Sequence, residues 1–161
     1  MLLLDQDRTR WDQLLITRGL ALVDRIQRLG GSAGPYALQA AIAACHARAR
    51  IPADTDWPRI AALYDGLAQI SPSPVVELNR GVATAQAFGP EAGPDIVRPL
   101  FDLPSMSGYH LLPAVAGDLL CRLGDHDEAG SHFLRAAALT RNDVERSTMQ
   151  RRAAECVGHG A

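Results

Sequence analysis

Lysine is missing from this chain altogether. All 16 basic side chains among its 161 residues are arginine, as GC-rich coding would produce. Set against 18 acidic residues, they leave a formal net charge of −2. No excess positive field is present to neutralise phosphates, so direct binding to nucleic acid is not expected. Cysteine is scarce too. Cys45, Cys121 and Cys156 are odd in number, far apart, and form no C-x-x-C pair. They read as small core residues in a reducing compartment, not as disulfide partners or metal ligands. No apolar run approaches the roughly 20 residues of a membrane span. The opening "MLLLDQDR" is too short to be the core of a signal peptide. The chain is therefore expected to be cytoplasmic, with no membrane partner.

The motifs of common chemistries are also missing. There is no HExxH, no G-x-S-x-G elbow, no P-loop and no G-x-G-x-x-G. His46, His110, His126, His132 and His159 have no acidic partner at ligand spacing, so no metal is expected. Asp125, Asp127 and Glu128 fall in a turn and a helix start, where they favour the helix dipole. These absences point away from an enzyme and from any cofactor.

What remains is a chain that is 47 % hydrophobic, enough for one domain with a sizeable core. No alternating β pattern occurs. A first helix is expected near Arg8 to Leu29, capped by Asp7 or Thr9, with Trp11, Leu15, Leu22, Ile26 and Leu29 on its apolar face. Gly30 to Pro35 stops it, and Pro35 opens an alanine-rich second helix. After the loop "RIPADTD", Asp56 caps a third helix carrying Trp57, Ile60, Leu63, Tyr64, Leu67 and Ile70 on one face. Pro74 opens a fourth, which Gly89-Pro90 ends. Residues 91–103 are interrupted by Gly93, Pro94 and Pro99, and a helix near Asp95 to Phe101 is the best reading there. Helices then follow over Tyr109 to Leu123, Asp127 to Leu139, and Asp143 to about Val157, the last capped by Asn142. The expectation is an all-α domain of about eight helices over 1–157. A leading helix (1–30) precedes hairpin-like units at 34–72, 73–103 and 106–140. A capping helix (142–157) and a frayed tail (158–161) follow.

The intervals between Gly124, Ala129, Phe133 and Ala136 carry more information. Aligning Ile60–Pro72 with Ala129–Arg141 sets Tyr64 against Phe133, and 133 − 64 = 69, about two periods of the 34-residue tetratricopeptide unit. Gly89 then takes the turn position that Gly124 takes later, and 124 − 89 = 35. The pattern resembles the second half of that repeat. A glycine allows the tight turn, Ala129 and Ala136 admit the paired helix, Phe133 fills the space between, and Gly117 is the small contact on the preceding helix. The middle unit matches poorly, because Pro94 stands where a small helical residue belongs. The implied architecture is a degenerate superhelical stack of antiparallel helical hairpins, a form that commonly binds proteins or peptides.

Five phrases together suggest something narrower: "LLLDQDRTRWDQLLI", "GPYALQAAIAACHA", "DTDWPRIAALYDGL", "SPSPVVELNRGVATA" and "GYHLLPAVAGDLLCRLGDHDEA". In order and spacing they resemble the carboxy-terminal extension of one group of bacterial extracytoplasmic-function sigma factors. The resemblance covers essentially the whole chain. It implies a helical, tetratricopeptide-like region that follows two sigma regions and contacts the sigma core, RNA polymerase or a regulator. Those sigma regions have no counterpart here, so the resemblance implies a separated or truncated part of the longer form. The family's "LNRA" and "YHLLHAAR" stand here as "LNRG" and "YHLLPAVA". Gly81 and Pro113 weaken a helix by about 1 and 3 kcal/mol if truly interior.

Candidate contact residues follow from the repeat pattern. First helices of hairpins line the groove in peptide-binding arrays, which selects Gln39, His46, Asn79, Arg80, Tyr109, His110, Asp118 and Arg122. Asn79 could hold a backbone amide and Arg80 a carboxylate, or the two could satisfy each other or a neighbouring helix end. Asp5, Gln6, Asp7, Arg8 and Arg10 form a second candidate, either a docking surface or simply a capped helix start over a buried Trp11. The competing function is a small-ligand sensor with an aromatic pocket of Tyr36, Trp57, Tyr64 and Tyr109. A homodimer through an exposed end of the array is compatible with either.

Overall fold

Five of the ten prolines stand in the first turn of an α-helix. In a computed structural model of the chain, Pro35 opens α2 (Pro35–Arg48), Pro58 is the second residue of α3 (Trp57–Ile70), and Pro74 opens α4 (Pro74–Phe88). Pro94 opens α5 (Pro94–Val97), and Pro113 is third in α6 (Leu111–Leu123). At these places the missing N–H would have had no intrahelical partner, so the ring costs the helix nothing and fixes φ for its first turn. Pro113 therefore leaves α6 unbroken and is itself fully buried. The remaining helices are α1 (Gln13–Arg28), α7 (His126–Leu139) and α8 (Asp143–His159). The structure describes residues 12–28 and 34–159. Among them there are eight α-helices and no strand, as the all-α reading expects.

The chain divides into two compact units, residues 1–76 and 77–161. In the first, α1 packs on α2 and α2 on α3. The small side chains of α2, Ala41, Ala44 and Cys45, are buried with Ile42, facing a helix that buries Ile60, Ala61 and Leu67. Asp24 of α1 pairs with Arg48 of α2 at 2.6 Å. The Asp56 carboxylate accepts from the Arg59 N–H at 3.1 Å and caps α3. Ile70, expected on the apolar face, is 49 % exposed, because it is the last residue of α3 and projects beyond the turn that packs. The expected caps Asp7 and Thr9, together with Trp11 and Leu29, lie outside the described residues, as do the side chains of Leu22 and Ile26. The cap observed for α1 is Asp12, whose carboxylate accepts from the N–H groups of Leu14 and Leu15, both at 3.0 Å. Leu15, assigned to the apolar face, is 63 % exposed, and Leu14 beside it is 60 % exposed.

The second unit has two hydrophobic clusters. Leu78 and Ala85 of α4 meet Val97, Leu100, Met106 and the Leu112, Ala116 and Leu119 face of α6. The approach is close: a β-carbon on Gly81 would lie 2.6 Å from Val97 Cγ2. Gly81 is thus a packing position as well as a weak helix former. The helix expected over 95–101 is a single α turn continued as a 3-10 segment, Arg98–Asp102. Pro99 has no N–H to donate back to Asp95, so the α ladder cannot continue through it.

The other cluster joins α6, α7 and α8 around Phe133, with Ala129, Ala136, Ala137, Met149, Ala153 and Cys156. Gly124 has φ +86° and links α6 to α7. Its N–H and that of Asp125 satisfy the last carbonyls of α6, with Asp125 N to Leu120 O at 3.0 Å. Gly89 also has a positive φ, +106°, so both glycines matched by the repeat pattern occupy turns that disfavour other residues. The Asn142 carboxamide accepts from Val144 N–H at 2.9 Å and caps α8. That helix runs on through Gly158 and His159, where a frayed tail was expected.

Candidate functional site

The predicted groove residues divide by what they touch. Gln39 on α2 and Asn79 on α4 are exposed. The others make contacts inside their own unit. His46 meets the Trp57 ring edge-on, with centroids 5.3 Å apart. Arg80 donates through Nε and Nη2 to Glu77 Oε2 at 3.0 and 2.8 Å, so its charge is already compensated one turn back along α4. Tyr109 packs against the α4–α6 cluster. His110 Nε2 lies 3.2 Å from Glu145 Oε2, and that carboxylate also accepts from Thr140 Oγ1 at 2.7 Å. Asp118 pairs with Arg152. Arg122 donates to the Ala85 carbonyl at 3.1 Å. Four of the eight candidates, His110, Asp118, Arg122 and Arg80, thus fasten helices or helix turns to one another. Asp5, Gln6, Asp7, Arg8 and Arg10 lie outside the described residues.

The four aromatics of the ligand-pocket alternative are divided between the two units, Tyr36, Trp57 and Tyr64 in the first and Tyr109 in the second. Tyr36 is 84 % exposed. Trp57 lies against His46. Tyr64 is half-buried, and burial raises its phenol pKa. Tyr109 belongs to the second unit. A cleft of about 250 Å³ in the first unit is lined instead by Cys45, Arg48, Ala49, Asp54, Asp56 and Arg59. Burial pushes the Cys45 thiol up, against the opposing pull of Arg59, so it is a poor nucleophile at neutral pH.

One grouping was not foreseen from the sequence. Cys121 lies in the last turn of α6, His126 is the first residue of α7, and Cys156 lies in the last turn of α8. The two sulfurs are 3.0 Å apart, and His126 Nδ1 is 3.9 Å from Cys121 Sγ. The three donor atoms all fall within 4.8 Å of one another. Cys156 is 3 % exposed. The Cys121 thiol is pushed up to about 11, first by burial and then by the neighbouring Cys156 thiol. The approach of α6 to α7 is tight at a glycine, and that of α7 to α8 is an ordinary contact. A β-carbon on Gly117 of α6 would meet Phe133, and one on Gly130 of α7 would sit 3.7 Å from Cys156 Cβ. The signal was in the repeat itself: 156 − 121 = 35, the offset that relates Gly89 to Gly124, so the two cysteines hold equivalent places on alternate helices, α6 and α8.

No family model matches the chain, and no solved structure matches it. An uncharacterized protein of Rhizobium meliloti (strain 1021) is 47 % identical over 145 residues, which is 90 % of this chain and 34 % of that relative. The chain thus spans about a third of the length of the curated relative it resembles.

Proposed function

We propose that the chain is a non-catalytic, protein-binding regulatory domain, acting as the carboxy-terminal extension of an extracytoplasmic-function sigma factor acts. It would contact the sigma regions, RNA polymerase or a regulator, and through that contact bias how transcription starts. The observation that carries this reading is the α6–α7–α8 stack, whose turn glycine, small contacts and central Phe133 follow the repeat pattern. Stacked repeats of that kind create extended surfaces that other proteins use for binding, and the functional reading is a fold-level analogy.

Three further observations fit. Gln39 and Asn79 stand exposed on first helices of hairpin-like units, where they can reach a partner backbone. Leu14 and Leu15 are exposed on α1, six and seven residues after Arg8 of the "DQDR" phrase, and offer apolar area to a docking surface. About two thirds of the Rhizobium relative lies outside the matched span, which leaves ample length for other regions in a protein of that kind.

The test is a calorimetric titration of this chain with the portion of the Rhizobium relative outside the match. Micromolar or tighter binding, weakened by Asn79→Ala and by Leu15→Ser without a change in melting temperature, is expected. Absence of binding, or binding indifferent to both substitutions, would count against an intramolecular docking role.

A further inference from the structure

We propose that Cys121, His126 and Cys156 form a binding site for a thiophilic d10 cation, with zinc(II) as the reference ion. Two unbridged sulfurs at 3.0 Å are closer than the roughly 3.5 Å at which even two carbon atoms make optimal contact. The pair stands between the length of a disulfide and the spacing of two thiolates that share a metal ion. A disulfide would draw them to about 2.05 Å and leave the imidazole a bystander. A tetrahedral zinc, with Zn–S near 2.3 Å and Zn–N near 2.0 Å, sets sulfur–sulfur and sulfur–nitrogen edges at about 3.8 and 3.6 Å. The His126 Nδ1 to Cys121 Sγ distance is already 3.9 Å. The sulfurs need to part by less than an ångström, which side-chain rotation can supply. The third donor therefore favours the metal over the disulfide.

The electrostatics agree. Two thiolates and a neutral imidazole around a divalent cation sum to zero formal charge, so the loaded site can sit against Ala129, Phe133 and Ala153 without burying a net charge. On binding, two metal–sulfur bonds form and two thiol protons leave to solvent; no electron is transferred. Water completes the fourth position, because the Asp118 carboxylate one turn before Cys121 is held by Arg152. The ligands come from the end of α6, the start of α7 and the end of α8, so the ion would bind the terminal helix to the hairpin below it. The ion would thus couple metal binding to helix packing while keeping one exchangeable coordination position.

The full chain, reduced and stripped with chelator, is titrated with cobalt(II) and then zinc(II). One equivalent of cobalt should give a near-ultraviolet thiolate charge-transfer band and the strong visible bands of tetrahedral cobalt, both bleached by zinc. Zinc should raise the melting temperature, since it binds only the assembled site. Cys156→Ser should abolish the charge-transfer band or greatly reduce it, and Cys45→Ser should leave it intact. His126→Gln, a half-buried change at a helix start that spares the core, should weaken zinc by more than about tenfold. Absence of a charge-transfer band in the reduced chain would overturn the proposal. So would a band unaffected by His126→Gln and Cys156→Ser, or a mass two hydrogens low with Cys121 and Cys156 joined as a disulfide in chain kept under reductant.

Discussion

A β-carbon on Gly117 would stand 2.9 Å from Cε1 of the Phe133 ring and 3.1 Å from the Ala129 carbonyl oxygen. Phe133 is wholly buried and cannot retreat, and the carbonyl is backbone. Alanine should favour the helix over glycine by about 1 kcal/mol, yet overpacking of this kind costs about 1–3 kcal/mol. Gly117→Ala should therefore lower unfolding stability in urea. A variant more stable than the parent would show that α6 and α7 can separate without loss.

Gly124 acts through the backbone instead. Its φ of +86° places it where a Cβ costs about 1–2 kcal/mol, and among the described residues no atom lies within 4 Å of where that Cβ would be. Gly124→Ala should destabilise by about that amount with the native structure unchanged. Gly108→Ala, at a glycine with an ordinary φ and open space around it, should stay within about 0.5 kcal/mol of the parent. Equal midpoints for the two would refute the turn argument.

Arg152 links all three helices of the stack. It ion-pairs with Asp118, and its guanidinium carbon lies 4.3 Å from the Phe133 ring centroid. Arg152→Ala removes both contacts and is expected to cost about 1–2 kcal/mol. In a double-mutant cycle with Asp118→Asn, the coupling should be no more than about 1 kcal/mol, since both groups keep some solvent contact. A larger coupling would make the ion pair, rather than the ring contact, the principal link.

His132 sets a pH dependence. Burial lowers its pKa below the ordinary histidine value, more than the Glu128 carboxylate at 3.8 Å raises it. Its Nδ1 is buried with no hydrogen-bond partner among the described residues. The unfolded chain thus binds the proton more readily than the folded one. The stability held by neutral His132 is fully present above the unfolded pKa near 6.5 and is lost as pH falls through and below it. His132→Leu should flatten the fall in melting temperature between about pH 7 and pH 5. An identical slope in both proteins would remove His132 as the cause.

Much of this fold was legible because its signals are local. Pro35, Pro74, Asp56 and Asn142 mark helix starts wherever they occur, and Gly89 and Gly124 were matched by offset alone. The stretch from Gly89 to Gly108 was harder to read. Its four prolines disallow a long helix, yet nothing local dictates that α and 3-10 turns alternate there. That outcome is set by Val97, Leu100 and Met106 finding α4 and α6. The contact residues were the least legible. Choosing groove positions by helix order selected His110, Asp118 and Arg122, which hold their unit together through partners 34 to 37 residues away. Such partners become visible only once the repeat is folded. The cysteines teach the converse: read singly, each was a small core residue, and only the 35-residue offset pairs Cys121 with Cys156.

The polar character of α8 has a consequence for the lifetime of the folded state. Most of its residues face water, and Met149, Ala153 and Cys156 supply its buried side. A mostly polar helix with so narrow a buried side is held by few apolar contacts and opens before the helices it covers. Undocking α8 would strip Arg152 from Phe133 and lay bare the alanine-lined face of α7. Amide exchange should therefore be fastest in 143–159 while α6 and α7 remain protected, and the exposed face is the surface through which two partly opened molecules would first adhere.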